Sequence, residues 1–508
     1  MPFVMRAKRL RCSMSRGVTA AATSFNPNPA RSLSPSMSLS PRGGDGPLMY
    51  NERVETPAVP TPVGMDRSPA ALGEFNVITA LLVVVFVVAY AAIVFEHPLG
   101  VNKSASALIG AGLLWTLYAA SVGDPQVVSA DLGESLLGTA QIIFFLLGAM
   151  TIVEVVDAHD GFDVITSRIR TRSVSSLLWI VGICTFFLSA ILDNLTTTIV
   201  MVSLMQKLLA ERRDRLFFAG VIVIAANSGG AWSPIGDVTT TMLWIGGQVT
   251  TLPLMKAVFV PALVSLLVPL AVTAVAARGR TVISPDDSAS GHRSITTALE
   301  RKLMLSLGLG VLVAVPAFKA ATDLPPFMGI LFGLGILWLV GDLLHRRKDL
   351  EESRRLTLVH ALSRIDLSSI VFFVGILLAV AVLEHAHLLS AIAAWLDGTV
   401  GRLDVIVVII GLVSAIVDNV PLVAASMGMY SLEQYPANHF LWGFLAYCAG
   451  TGGSILVIGS AAGVAAMGLE KIDFIWYLKK ISLLALVGYL AGAAAFLIQH
   501  ALLGQIVE

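Results

Sequence analysis

Apolar runs long enough to span a membrane, separated by short polar loops, occupy the chain from about residue 74 onward. A helix needs roughly 20 apolar residues to cross the hydrocarbon core of a bilayer. The pattern therefore predicts an all-α polytopic membrane protein. The plausible spans are 74–95, 104–121, 138–157, 216–247, 252–277, 302–320, 326–345, 368–386, 437–469 and 474–503.

Two further apolar runs, 174–206 and 403–430, differ from these because each carries an Asp-Asn pair near its middle. A continuous helix of about 30 residues would be about 45 Å long, whereas the hydrocarbon core is about 30 Å thick. We therefore predict that each run forms a re-entrant helical hairpin. Non-helical backbone at that depth is stable only where protein or a water-filled cavity surrounds it.

The two halves of the chain resemble each other. FFLSAILDNLTTTIVMV (186–202) matches IGLVSAIVDNVPLVAAS (410–426), and AANSGGAWSPIGDVTTTM (225–242) matches CAGTGGSILVIGSAAGVA (448–465). The offset is 225 residues for the Asp-Asn pairs and 223 residues for the Ser/Thr-Gly-Gly triplets. Each half holds an odd number of crossings, which predicts two inverted-topology repeats, each with a hairpin and a broken transmembrane helix.

These repeats set the expected domain boundaries. The chain divides into an N-terminal extension (1–72), a first membrane repeat (73–278), an inside loop (279–301) and a second membrane repeat (302–508). Residues 1–44 contain several arginines and many serines but no Asp or Glu. This composition is typical of an organellar transit peptide, and a disordered tail has the same signature.

Basic residues favour one side of the predicted membrane. Alternating the crossings collects nearly all loop lysines and arginines on that side, which the positive-inside rule assigns to the inside. The clusters lie at 168–172, 207–215, 278–301, 346–355 and 471–480.

Composition narrows the function. Of the 508 residues, 56% are hydrophobic and 13% are charged, whereas soluble proteins carry about 25% charged residues. The formal net charge is zero, so nothing indicates a nucleic-acid partner. The three cysteines form no CxxC pair, and neither a P-loop nor an HExxH or GxSxG motif occurs. We expect no cofactor, no ATP and no enzymatic activity, with the lipid bilayer as the main partner.

Oxygen-bearing side chains concentrate where the helices are predicted to break, at 193–198, 227–240, 418–421 and 451–454. Gly and Pro interrupt helices and free backbone carbonyls, and a small hard cation such as Na⁺ prefers a cage of oxygens. A carboxyl group away from bulk water also keeps its proton more readily, so a cation and a proton can compete for one group. The alternative is that these residues only cap half-helices.

The predicted ion-binding and proton-exchanging residues lie at these breaks, with Na⁺ at the three aspartates. They are Asp193, Asn194, Thr196, Asn227, Ser228, Asp237, Thr239, Thr240, Asp418, Asn419, Thr451 and Ser454.

Other titratable residues lie within or beside the apolar runs. Glu154, Asp157 and Glu384 are candidate accessory proton groups, although capping a helix end or pairing with an arginine would also explain such acids. His159 is expected to be an exposed loop residue at the membrane edge, with pH sensing as the alternative.

At these breaks the chain resembles the NhaD-type sodium/proton antiporters of the ion-transporter superfamily. The motifs that carry the resemblance are SAILDNLTTTIVM, ANSGGAWSPIGDVTTTMLW, SAIVDNVPLVAA and TGGSILVIGSAAGVAAMG, and it covers roughly residues 72–505. The resemblance implies a scaffold domain, a transport domain that moves like an elevator, a homodimer, and a location in a bacterial inner membrane or a plastid envelope. By similarity, the ion-binding set is Asp193, Asn194, Asn227, Asp237, Thr239, Thr240, Asp418, Asn419 and Ser454.

The predicted function is secondary active exchange of Na⁺ or Li⁺ for H⁺. The alternative is a sodium-coupled or proton-coupled carrier of the same fold for an anion such as arsenite or a dicarboxylate. Half-helix N-termini attract anions, but three aspartates at one place would repel them. A membrane-embedded enzyme would need a nucleophile and a base at the breaks, and no histidine lies near them.

Overall fold

The computed structural model describes residues 77–166, 171, 173–281, 296–346, 354 and 356–507. The predicted N-terminal extension and most of the predicted inside loop lie outside the described residues. The described residues are helical apart from loops and an isolated β-bridge between Ser173 and Thr281. The helices are α1 (Val77–Val94), α2 (Glu96–Leu99), α3 (Lys103–Val122), α4 (Pro125–Ala158), α5 (Asp163–Thr166), α6 (Val174–Leu192), α7 (Asn194–Leu208), α8 (Arg212–Gly230), α9 (Val238–Ile245), α10 (Thr251–Ala276), α11 (Ala298–Thr322), α12 (Pro326–His345), α13 (Leu358–Arg364), α14 (Leu367–His385), α15 (Leu388–Val400), α16 (Leu403–Val413), α17 (Asn419–Met429), α18 (Phe440–Gly452), α19 (Ala461–Glu470), α20 (Phe474–Lys480) and α21 (Ser482–Val507).

Nine helices in the described part of the chain are long and apolar enough to cross a membrane. They are α1, α3, α4, α6, α10, α11, α12, α14 and α21. Their length and composition confirm the predicted all-α, multi-pass membrane protein. The predicted span 326–345 coincides with α12, and the spans 252–277 and 368–386 are each shifted by one residue from α10 and α14.

Three predicted boundaries are wrong. The acidic stretch before residue 138 is not a loop, because Pro125 starts α4 and the Asp124 carboxylate accepts a hydrogen bond from the Gln126 backbone N–H. The single span predicted for 474–503 is divided at Ile481 into α20 and α21. The amphipathic helix α15 follows α14 and was not expected.

Two short helices form the centre of the described core. Every residue of α8 from Phe218 to Gly230 and of α18 from Leu441 to Gly452 is buried. A helix that is apolar on all faces is stable only when other helices surround it. The helix α8 packs against α6, α7 and α19, while α18 packs against α16, α17 and α9.

Equivalent small residues let these helices approach their neighbours in both halves. A Cβ atom added to Gly229 would lie 2.2 Å from the Phe186 carbonyl oxygen, and one added to Gly452 would lie 2.0 Å from that of Gly411. Only glycine permits such close backbone contact. The helix ends that these contacts hold together contain the predicted breaks.

A hydrogen bond is also repeated between the halves. The Ser189 hydroxyl donates to the Ala226 carbonyl at 2.6 Å, and the Ser414 hydroxyl donates to the Ala449 carbonyl at 3.2 Å. Both pairs follow the sequence offsets of 225 and 223 residues.

Candidate functional site at the helix breaks

The first break lies at Asp193, between α6 and α7. Its backbone has φ 106° and ψ 159°, a region that is almost restricted to glycine and costs about 1–3 kcal/mol for other residues. Its carboxylate caps α7, since Oδ1 accepts from the Thr196 N–H at 2.7 Å and Oδ2 accepts from the Thr196 hydroxyl at 2.8 Å. The capping bonds hold the chain in this turn and end α6.

The second break is the loop 231–237 between α8 and α9. Asp237 caps α9 through Oδ1, which accepts from the Thr239 N–H at 3.1 Å. Ser460, the residue aligned with Asp237, caps α19 in the other half. The two residues have nearly the same backbone conformation, with φ of −146° and −148°.

The third break precedes α17, where the Asp418 carboxylate accepts from the Val420 N–H at 3.3 Å. The Lys103 ammonium also lies 3.3 Å from Asp418 Oδ2. Sequence reasoning missed this lysine. Its only signal was a charged residue at the edge of an apolar span.

Side chains from these breaks meet at Asp237, whose side chain is buried. Its Oδ2 accepts from the Asn194 amide at 2.8 Å and from the Asn419 amide at 3.3 Å. The Asn194 amide also donates to Asn227 Oδ1 at 3.1 Å, and the Asn227 amide donates to the Ser460 hydroxyl at 2.9 Å. A continuous polar network thus joins the two halves, with a carboxylate at its centre.

Several other predicted residues bind elsewhere. The Ser228 hydroxyl lies 2.8 Å from that of Ser265. The hydroxyls of Thr240, Thr451 and Ser454 donate to backbone carbonyls of their own helix or its cap. Their second lone pairs remain available, so these residues stay predictions rather than parts of the observed network.

Two hydroxyls that the sequence did not single out face the same region. Thr197 and Thr198 are fully buried, and their hydroxyls have no hydrogen-bond partner among the described residues. Buried polar atoms are nearly always paired with protein, water or an ion. The run of three threonines after Asp193 was the available signal.

A small cavity of about 40 Å³ adjoins the network and is lined by Asp193, Asn194, Asp237 and apolar side chains such as Phe145 and Phe373. A water molecule requires about 10–15 Å³ of such space. The cavity therefore has room for a small ion with one or two waters.

A larger cavity of about 530 Å³, here called the acidic vestibule, lies beside the first break. Leu195 lines both cavities, and Thr196 lines the vestibule. The charged residues around the vestibule are Glu154, Asp157, Asp160, Asp163, Asp366, Lys207 and Arg364.

Arg364 pairs with two of the candidate accessory acids. Its Nε lies 2.8 Å from Glu154 Oε1, and its Nη2 lies 3.6 Å from Asp157 Oδ2. The third, Glu384, lies near the end of α14, with its carboxyl group against Gly428 of α17. The arginine pair is one of the roles expected for Glu154 and Asp157.

The expectation for His159 is wrong. This side chain is fully buried, its Nδ1 donates to the Val155 carbonyl at 2.6 Å, and its Nε2 lies 2.9 Å from His345 Nε2. The contact joins the ends of α4 and α12, two helices that pack together. The sequence could not indicate it because the two histidines are 186 residues apart.

Comparison with known proteins gives the chain its family. Residues 90–450 match the CitMHS family, described as citrate transporters. The chain is 51% identical to sodium/proton antiporter 1 of Arabidopsis thaliana over 421 residues, which cover 82% of this chain and 72% of that protein. It is 46% identical to sodium/proton antiporter 2 of the same plant, covering 82% and 99%.

A bacterial relative shows the same likeness at lower identity. The Na(+)/H(+) antiporter NhaD of Alkalimonas amylolytica is 31% identical over 449 residues, which cover 82% of this chain and 89% of that protein. Both the family match and these relatives include the breaks at Asp193, Asp237 and Asp418. The chain is therefore a member of the NhaD-type sodium/proton antiporters, within the family described by citrate transporters.

Proposed function

We propose that this protein exchanges Na⁺ or Li⁺ for H⁺ across its membrane. One observation carries the proposal. The buried carboxylate of Asp237 receives one asparagine amide from each half of the chain, beside a cavity that it shares with Asp193. The names of the relatives support the same activity.

The chemistry follows from competition for Asp237. In the observed arrangement the amide N–H groups of Asn194 and Asn419 stabilise its charge without a cation. A bound Na⁺ would compete with these donors for the carboxylate oxygens, and a proton would remove the charge instead. Because the group is shielded from bulk water, occupancy by a proton weakens cation binding. Loading one substrate therefore favours release of the other.

The charges of Asp193 and Asp418 act on Asp237 electrostatically. Three carboxylates in one region repel one another, and this repulsion favours binding of either a cation or protons. Asp193 also lies between the small cavity and the acidic vestibule, so we assign the vestibule as a route by which ions enter from one side. Its excess of carboxylates would concentrate cations near the break.

We further propose that the chain contains two inverted repeats (73–278 and 302–508), with re-entrant hairpins at α6–α7 and α16–α17. The repeated glycine contacts, the repeated serine hydrogen bond and the matching caps at Asp237 and Ser460 support this proposal. The helices around the breaks would form the transport domain, and a homodimer would form through the remaining helices. Cysteine cross-linking in native membranes tests the dimer.

For the compartment we propose an organellar envelope. The identity to the two plant proteins is higher than that to the bacterial protein, and residues 1–44 have the composition of a transit peptide. Imaging a C-terminally tagged chain and sequencing the mature N-terminus test this proposal. An unprocessed chain in the plasma membrane would contradict it.

A second candidate function is transport of an anion. The match to a family described as citrate transporters favours it. The buried aspartates oppose it, because a dicarboxylate would meet like charges unless cations were bound first.

The test is transport by purified protein in liposomes that hold an internal pH gradient and a pH-sensitive dye. NaCl or LiCl should collapse the gradient, whereas KCl should not, and uptake of labelled citrate, succinate or arsenite should match protein-free liposomes. Failure of both Na⁺ and Li⁺ to move protons would contradict the proposed exchange. Uptake of an anion would favour the second candidate.

A further inference from the structure

Lys103 places a positive charge at one of the proposed ion-binding carboxylates. Its Nζ lies 3.3 Å from Asp418 Oδ2 and 4.5 Å from the centre of the Phe372 ring. The two charged side chains are 22% and 16% exposed, so solvent screens this pair less than a surface ion pair. The ammonium therefore occupies space that a transported cation would take at Asp418.

The position of Lys103 in its helix is unfavourable for a cation. It is the first residue of α3, where the helix dipole is positive and favours acids. Lysine at this position is stabilised by neighbours outside the helix, namely Asp418 and the face of Phe372. Its presence at the site thus needs a reason other than helix formation.

The lysine is attached to a firmly held helix end. The Asn102 amide donates to the Ser368 hydroxyl at 3.1 Å, and the Ser104 hydroxyl donates to the Ser368 carbonyl at 2.7 Å. These bonds fix the start of α3 against α14. Asp418, in contrast, belongs to the break before α17. The ion pair thus joins a continuous membrane helix to a broken one.

We propose that the Lys103 ammonium is a built-in counter-cation that competes with Na⁺ for Asp418. In the cation-free protein it balances the Asp418 charge, and Na⁺ must displace it to bind there. Lys103 then weakens the apparent affinity for Na⁺ and promotes Na⁺ release. This inference rests on the proposed Na⁺/H⁺ exchange.

The competition makes a prediction opposite to that of a structural role. Replacing Lys103 by Gln or Met removes the competitor but leaves Asp418 in place. The KM for Na⁺ at fixed alkaline pH should fall by about threefold to tenfold, given the strength of a partly shielded ion pair. The maximal rate should also fall, because release becomes slower. Lys103→Arg keeps the charge and should keep the KM close to that of the unaltered protein.

The experiment measures KM and maximal rate in proteoliposomes for the unaltered protein and for K103Q, K103M and K103R. In parallel, the melting temperature of detergent-purified protein is measured at increasing NaCl. K103Q and K103M should reach their full Na⁺-dependent shift at lower NaCl than the unaltered protein. Because this readout requires only binding, it applies even where a variant transports slowly.

Two results would overturn the inference. One is a KM that stays constant or rises in K103Q and K103M, and the other is an Na⁺ titration of the melting temperature that does not move. Either result leaves the proposed function intact as long as the unaltered protein exchanges Na⁺ for H⁺. Absence of exchange by the unaltered protein would instead contradict the function itself.

Discussion

At the residue scale, Asp237 depends on donors of two kinds. Its Oδ1 accepts from the backbone of its own helix, while its Oδ2 accepts from amides on α7 and α17. The first bond fixes the side chain, and the others connect its charge to both halves. A neutral side chain of the same shape would place an amide N–H where Asn194 and Asn419 already donate, leaving donors facing donors.

Single changes of Asp193, Asp237 or Asp418 to Asn should abolish exchange while the protein still accumulates in the membrane. Asparagine retains the capping role but loses the charge that binds a cation or a proton. Proteoliposome transport and the amount of folded protein measure the two effects. The matched control is D323N, because Asp323 lies in an exposed helix end outside the network. Normal exchange in all three site variants would contradict the mechanism.

The two asparagines that contact Asp237 should differ in effect. Asn194 donates at 2.8 Å and also contacts Asn227, whereas Asn419 donates at 3.3 Å. Removing a hydrogen bond to a charged group costs about 1.5–3 kcal/mol, and a longer bond contributes less. N194A should therefore raise the KM for Na⁺ more than N419A does, as measured in the same liposome assay. The reverse order would mean that the observed network does not set cation affinity.

At the scale of elements, the breaks are built from caps and close glycine contacts. Asp193, Asp237 and Asp418 begin new helices with their own side chains. Gly229 and Gly452 bring the preceding helices into backbone contact with α6 and α16. The same side chains that end the helices thus supply the polar groups of the site.

G229A and G452A should each destabilise the protein, because an added methyl group would overlap a backbone carbonyl that cannot rotate away. Overpacking of this kind costs about 1–3 kcal/mol. The melting temperature in detergent measures the change. G335A is the control, since a Cβ atom there would meet nothing within 4 Å, and it should leave stability unchanged or slightly higher. Equal melting temperatures for all three variants would show that the contacts are not tight.

At the scale of the whole molecule, the site exists only where the two halves meet. Asn194, Asn227 and Asp237 come from the first half, and Asn419 and Ser460 come from the second. Relative movement of the helices that carry them would change the contacts of Asp237. The acidic vestibule gives one side of the molecule access to the first break.

Proton competition at this shared site predicts a specific pH dependence. As the pH falls, a larger fraction of the site carries a proton, so the KM for Na⁺ should rise. The maximal rate at saturating Na⁺ should change much less, because excess cation displaces the proton. Transport rates over a grid of Na⁺ concentration and pH separate the two quantities. A falling maximal rate at constant KM would indicate a separate proton site.

The sequence alone predicted the membrane helices and the positions of the breaks. Both depend on local chemistry, namely the length of apolar runs and the capping preference of Asp beside Gly and Pro. The duplicated motifs also identified Asp193, Asp237 and Asp418 as candidates. The boundaries at Pro125 and Ile481 were missed because packing and capping, rather than hydropathy, decide where those helices begin.

The tertiary structure decided which of these residues meet. Asp237 and Asn419 are 182 residues apart, and Lys103 and Asp418 are 315 apart. No local pattern encodes such contacts, because they follow from how buried helices pack. Burial of His159 against His345 arose in the same way. The sequence by itself thus determined where the membrane helices are interrupted, and folding determined which interrupted ends share their charges.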